Sequence, residues 1–166
     1  MVSLRGAVAM RIFIGINHPA HVHLFRNVIH ELIDRGHSIV IGARDKEVTL
    51  KLLEAYNLNY ELISAMSSTS NSLVEEAVAR VRVSRNIFRK YKPDLAISMM
   101  EPTIPIASKL SNIPHIALTD TEHAKLANIL THPFTEAVLT PSCFSHSLGK
   151  KQIRYNGYPG SDIWLI

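Results

Sequence analysis

Arg11-Ile12-Phe13-Ile14-Gly15-Ile16-Asn17-His18-Pro19-Ala20-His21-Val22-His23-Leu24-Phe25 decides the fold. Met10–Ile16 is a nearly continuous run of apolar, β-favouring residues, too short for a helix, and reads as a strand buried on both faces. It stops at a polar turn that carries His18, His21 and His23. From about Ala20 to Arg35 the period changes. Val22, Phe25, Ile29, Leu32 and Ile33 recur on one helical face, with Arg26, His30, Glu31 and Asp34 on the other. Gly36 can then close the helix in the left-handed conformation. In an open parallel sheet such a strand-to-helix turn lies at the carboxyl end of the strand, where ligands bind.

The same alternation repeats outward from this unit. Ser38–Gly42 reads as a second strand, and Asp45 as the N-cap of a helix through about Tyr56, with Val48, Leu52, Leu53 and Tyr56 facing the core and Asn57 ending it. Asn59–Ile63 is a third strand. Ser64–Asn71 is a small polar loop. Ser72 and Glu75 have capping-box spacing and open the longest helix, to about Tyr91, with Val74, Ala77, Val78, Val81 and Phe88 as its apolar stripe. Asp94–Ser98 is a fourth strand, Pro102 suits the first turn of a helix through Leu110, and Pro114–Leu118 is a fifth strand. After Asp120 a helix is expected to about Thr131. Ala137–Thr140 and Gln152–Tyr155 are short strands, with a helical segment around Ser142–Leu148 between them. Strands alternating with helices predict a doubly wound α/β fold, with six or seven parallel strands covered on both faces.

The chain has 166 residues, 46% of them hydrophobic, which suits one cored domain and is short for two. Residues 10–158 read as that domain, 1–9 as a disordered or misassigned extension ahead of Met10, and 159–166 as a divergent tail. A net charge of +4 suits anionic small ligands or an anionic membrane surface and falls short of a nucleic-acid signature. The single cysteine, Cys143, excludes an internal disulfide and points to a reducing, cytoplasmic setting. No apolar run approaches the ~20 residues of a membrane span. The first turn has no G-x-G-x-x-G, and the chain has neither a Walker phosphate loop nor a G-x-S-x-G elbow. No NAD, FAD or ATP site is supported, and no cofactor is implied.

Asn17-His18-Pro19-Ala20-His21-Val22-His23, Ala43-Arg44-Asp45-Lys46, Asp120-Thr121-Glu122-His123-Ala124-Lys125-Leu126 and Arg154-Tyr155-Asn156-Gly157-Tyr158 carry a resemblance. They look like a prokaryotic domain-of-unknown-function family grouped with the GT-B glycosyltransferases and the UDP-N-acetylglucosamine 2-epimerases. The chain also resembles, more distantly, the N-acetylglucosaminyltransferase of peptidoglycan lipid synthesis, whose glycine-rich first turn ends in a histidine. His21 stands fifteen residues before Gly36, which looks like the same register. Asn17, His18, Pro19 and Ala20 replace the glycines of that turn, a departure that bears on any phosphate cradle there. GT-B proteins have two Rossmann-like halves, the second of which holds most of the nucleotide-sugar donor. The resemblance therefore implies an amino-terminal, acceptor-binding half of a truncated or split enzyme.

His21 is the first candidate for catalysis. A base near neutral pKa suits removal of an acceptor hydroxyl's proton, and the helix N-terminus would hold the imidazole neutral. Its plainer role is to cap or orient the turn. Asn17, His18 and His23 are candidate substrate contacts beside it. Asp120, Glu122 and His123, after the fifth strand, share its edge of the sheet. Glu122 is the second acid/base candidate, and Asp120 is equally an N-cap. Glu101, at the end of the fourth strand, is a further candidate contact or an exposed loop carboxylate. A zinc site on the three histidines is disfavoured, because helical residues two apart point about 200° apart, and a metal amidohydrolase barrel needs about 250 residues. Arg80, Arg82, Arg85, Arg89, Lys90 and Lys92 form a solvated basic face or a contact for an anionic membrane.

The leading expectation is the acceptor-binding half of a glycosyltransferase of surface or envelope glycan synthesis. It would act on a sugar or lipid-linked glycan acceptor with a second Rossmann-like chain, cytoplasmic or peripheral at the inner face of the membrane, and would have no nucleic-acid partner. The alternatives are a sugar-nucleotide 2-epimerase half and a non-catalytic partner-binding half-domain.

Overall fold

A computed structural model describes residues 8–64, 72–120 and 129–156. The strands β1 (Arg11–Ile16), β2 (Ser38–Arg44), β3 (Tyr60–Ser64), β4 (Leu95–Met99), β5 (His115–Leu118), β6 (Ala137–Pro141) and β7 (Gln152–Tyr155) form one parallel sheet in the order β3-β2-β1-β4-β5-β6-β7. β1 lies between β2 and β4, pairing Phe13 with Val40 on one side and Ala96 on the other. The strand order reverses there, so the carboxyl end of β1 opens at the topological switch point.

The pleat of β1 sorts the core into two layers. Ile12, Ile14 and Ile16 pack with Val22, Phe25 and Ile29 of α1 (Pro19–Asp34) and Leu53 of α2 (Thr49–Ala55). Phe13 points the other way, to Ile87 and Phe88 of α3 (Leu73–Tyr91) and Ile104 and Ala107 of α4 (Thr103–Lys109). Phe13 and Phe88 meet edge to face at 4.8 Å. Gly42 leaves the space the Phe13 ring fills, and a Cβ there would overlap the ring. Both layers are apolar because parallel strands with helices on both faces have no solvent side.

Several boundaries differ from the sequence reading. α2 starts at Thr49, not Asp45, because the Asp45 N–H bonds the Ser64 carbonyl at 2.8 Å and stays in the sheet. Glu47 then takes a positive φ of 54°, and Val48 is exposed at the cap rather than on the core face. Ile33 is also exposed. In α3, Ser72 caps the Glu75 N–H as expected, but Val74 and Val78 are exposed. Its buried residues, Ser84, Ile87 and Phe88, all sit in the half that covers Phe13 and α4. Ser142–Leu148 forms turns rather than a helix, since the Ser142 N–H bonds the Tyr155 carbonyl and extends the β6–β7 pairing. Most of the helix expected after Asp120 lies outside the described residues. Its end, at 129–131, is helical and runs into a 3-10 turn at His132–Phe134. The tail at 159–166 and most of the 1–9 extension also lie outside. Among the described residues no helix is long and apolar enough to cross a membrane.

Candidate functional site at the carboxyl edge

The β1–α1 turn is closed by its own histidines. His18, in extended conformation, is the N-cap of α1, and its Nδ1 accepts the Ala20 N–H at 3.2 Å. Pro19, in the first turn, has no N–H to satisfy. The His21 N–H bonds the His18 carbonyl at 2.9 Å. The His21 side chain turns back, so that its Nδ1 accepts the Asn17 N–H at 3.3 Å. The two rings lie 6.0 Å apart. Asn17 shows the opposite condition: both polar atoms of its side chain are buried and have no hydrogen-bond partner among the described residues.

His21 has its pKa lowered to about 4. Burial is the main cause, His18 and Lys46 push the same way, and Asp120 opposes them. The direction matches the sequence reading, but desolvation rather than the helix terminus leads it. Asp120, exposed just after β5, is thus near enough to act on His21, and it also raises the Tyr155 pKa. Tyr155 reaches about 12, driven first by burial, then by Asp120 and Cys143. Tyr155 belongs at this edge, yet sequence reasoning gave it no role; its place in the Arg154–Asn156 stretch was the available signal. Lys46 and His18 both lean on Glu47, each at 3.8 Å.

The other candidates fall elsewhere. His23 is exposed and faces α2, where its Nδ1 lies 3.4 Å from the Tyr56 hydroxyl, itself a partner of Arg26. Glu101 is not an exposed loop carboxylate. It accepts the N–H groups of Thr103 at 3.0 Å and Ile104 at 2.8 Å, and the Thr103 hydroxyl at 2.6 Å. Arg80 pairs with it at 3.3 Å, the two side chains 12% and 16% exposed. Arg44 pairs with Glu76 alongside, which ties α3 to the ends of β2 and β4. The basic run is therefore divided: Arg80 turns inward to Glu101, and Lys90 pairs with Glu61 at 2.8 Å. Glu122 and His123 lie outside the described residues. Among the described residues no three His, Cys, Asp or Glu side chains converge as metal ligands. His115, which the sequence did not single out, is buried between Ser98 and Thr135, 3.1 Å from each hydroxyl, with its pKa lowered to about 3 by desolvation.

Seven parallel strands with a polar carboxyl edge at the switch point define a Rossmann-like half-domain of the GT-B type. MurG of Acinetobacter baumannii superposes with a TM-score of 0.76 at 14% identity, over 90% of this chain and 46% of that one. The UDP-GlcNAc 2-epimerase of Neisseria meningitidis, solved with UDP-GlcNAc bound, superposes at 0.65 and 13% identity, over 79% of this chain and 40% of that one. The chain belongs to the family described as "Protein of unknown function (DUF354)", matched over residues 10–157. An uncharacterized protein of Methanocaldococcus jannaschii is 27% identical over 134 residues, 81% of this chain. The chain spans 39% of that relative's length.

Proposed function

We propose that this chain forms the acceptor wall of a GT-B-like glycosyltransferase of surface or envelope glycan synthesis. The observation that carries the reading is a partly buried His21, its pKa lowered to about 4, facing the Asp120 side of one carboxyl edge, at the switch point of a fold shared with enzymes of sugar nucleotides. In the transfer, the acceptor hydroxyl oxygen bonds the donor's anomeric carbon while the bond from that carbon to the nucleotide's phosphate oxygen breaks. The hydroxyl's proton goes to a carboxylate of the turn after β5, Glu122 or Asp120. His21 binds the acceptor beside it, with Asn17 and His18 shaping the turn and His123 completing the wall. His23 and Glu101 stand outside this wall, one against the Tyr56 hydroxyl and the other holding the start of α4. The donor wall is a second Rossmann-like half, and the acceptor is a sugar or a lipid-linked glycan. Arg82, Arg89 and Lys92, exposed on α3 and at its end, suit contact with an anionic membrane at its cytoplasmic face.

The test is transfer from a panel of UDP-sugars by this chain together with a complementary Rossmann-like half. Transfer that falls at least a hundredfold in His21→Ala, with the fold intact, supports the reading. Inversion at C2 of UDP-GlcNAc without any acceptor would make this an epimerase half instead. Undiminished transfer in His21→Ala removes His21 from the site.

A further inference from the structure

The N-terminus of a helix normally offers free N–H groups to a phosphate. Here, among the described residues, the opening of α1 has only the His18 N–H left to offer. The Asn17 N–H is taken by His21 Nδ1, Pro19 has none, the Ala20 N–H is taken by His18 Nδ1, and the His21 N–H by the His18 carbonyl. The nearby cation Lys46 is engaged as well, facing Glu47 at 3.8 Å, and Asp120 adds a negative charge.

The same bonds fix the tautomer of His21. A backbone N–H can only donate, so Nδ1 must be the acceptor. The one proton of the neutral ring is then on Nε2. Nε2 has no hydrogen-bond partner among the described residues, and His21 is only partly buried. The group this turn presents is thus a neutral N–H donor, next to an Asn17 amide that has satisfied neither its donor nor its acceptor.

We propose that the β1–α1 turn is a neutral-hydroxyl site: His21 Nε2–H donates to a sugar hydroxyl oxygen, and the turn does not take a phosphate. A hydroxyl suits such a donor because it accepts there and passes its own proton onward, as the acceptor of a transfer must. The identity of the ligand rests on the acceptor-wall reading. The closed turn and the tautomer do not.

The test uses the whole chain uniformly labelled with 15N. At pH 7 a long-range proton–nitrogen correlation shows Nδ1 unprotonated and Nε2 protonated in His21. N-acetylglucosamine, added in the millimolar range, saturably shifts the His21 Nε2–H signal. Inorganic diphosphate at the same concentration leaves the Asn17, Ala20 and His21 amides in place. His21→Asn keeps an acceptor for the Asn17 N–H but loses the outward donor, so it folds with the same amide dispersion and loses the sugar response at least tenfold. His21→Gln, which carries an N–H near the Nε2 position, keeps the response within about threefold of the wild type, provided its amide spectrum is otherwise unchanged. A proton on His21 Nδ1 overturns the proposal. So does saturable movement of those amides by diphosphate, or a labelled chain unmoved by the sugar. If these results hold and no transferase activity is found, the functional reading fails and the neutral site remains.

Discussion

Two turns of this sheet occupy equivalent places and are finished differently. Asn17-His18-Pro19 joins β1 to α1, and Glu101-Pro102-Thr103 joins β4 to α4. Each sets a polar residue before a proline at a helix start, on the same edge of the sheet. In the β4–α4 turn one carboxylate takes two helix N–H groups, a hydroxyl and a nearly buried arginine. In the β1–α1 turn two imidazoles take the N–H groups with one nitrogen each, which leaves the His21 outer nitrogen open and the Asn17 amide unsatisfied. The carboxylate spends both oxygens on structure. The imidazole, with two unlike nitrogens, can close a turn and still present a group outward. Site and scaffold differ here in how many polar atoms are left over, not in how polar their residues are.

The contrast can be broken first at its rigid side. Glu101→Ala removes the partner of a nearly buried Arg80 and the cap of α4, and should lower unfolding stability in urea by about 3–5 kcal/mol. A loss under 1 kcal/mol would place Glu101 among the free edge groups instead. The next effect is in pH. An unfolded histidine takes up its proton near 6.5, but folded His21 does so only near 4. Between these values the unfolded state binds more protons, so stability falls as pH falls, by about 3 kcal/mol for this group once pH is below 4. His115 adds a loss of the same sign down to about pH 3. Urea titrations in His21→Asn should therefore show a shallower acid slope than the wild type, with the His115 share intact. An unchanged slope would mean that His21 is not held neutral.

Smaller effects sharpen the picture of the β1–α1 turn. His18→Ala should cost about 1 kcal/mol, as the loss of one N-cap bond to Ala20, measured by thermal or urea unfolding. Asn17→Leu, which removes two buried unsatisfied atoms at similar volume, should be neutral or raise stability by about 1 kcal/mol. A clear loss in that variant would show that the Asn17 amide already has a partner.

The strands were almost fully legible. Gln152–Tyr155 was read to the residue, and β1, β4, β5 and β6 within one residue at each end, because short apolar runs bounded by Pro, Gly and Asp leave little choice. Helix boundaries failed where pairing with a distant strand claimed a backbone group. Asp45 looked like a cap but stays bonded to Ser64, and Ser142 is bonded to Tyr155. Val74 and Val78 fit the helical period, yet none of the described residues covers them. In the site, the polar turn and its nearness to the residues after β5 could be read. Glu101's partner Arg80, twenty-one residues away, and Tyr155's approach to Asp120 could not.

The sequence by itself determined the doubly wound parallel sheet and the placing of Asn17, His18, His21 and Asp120 at its carboxyl edge. Strand and helix periods are local, and their alternation admits one handedness of crossover. Only the tertiary structure decided which of those polar groups are used up and which are left to act. Burial sets the charge of His21, and one backbone N–H, aimed by the bend of the chain, sets which of its nitrogens holds the proton.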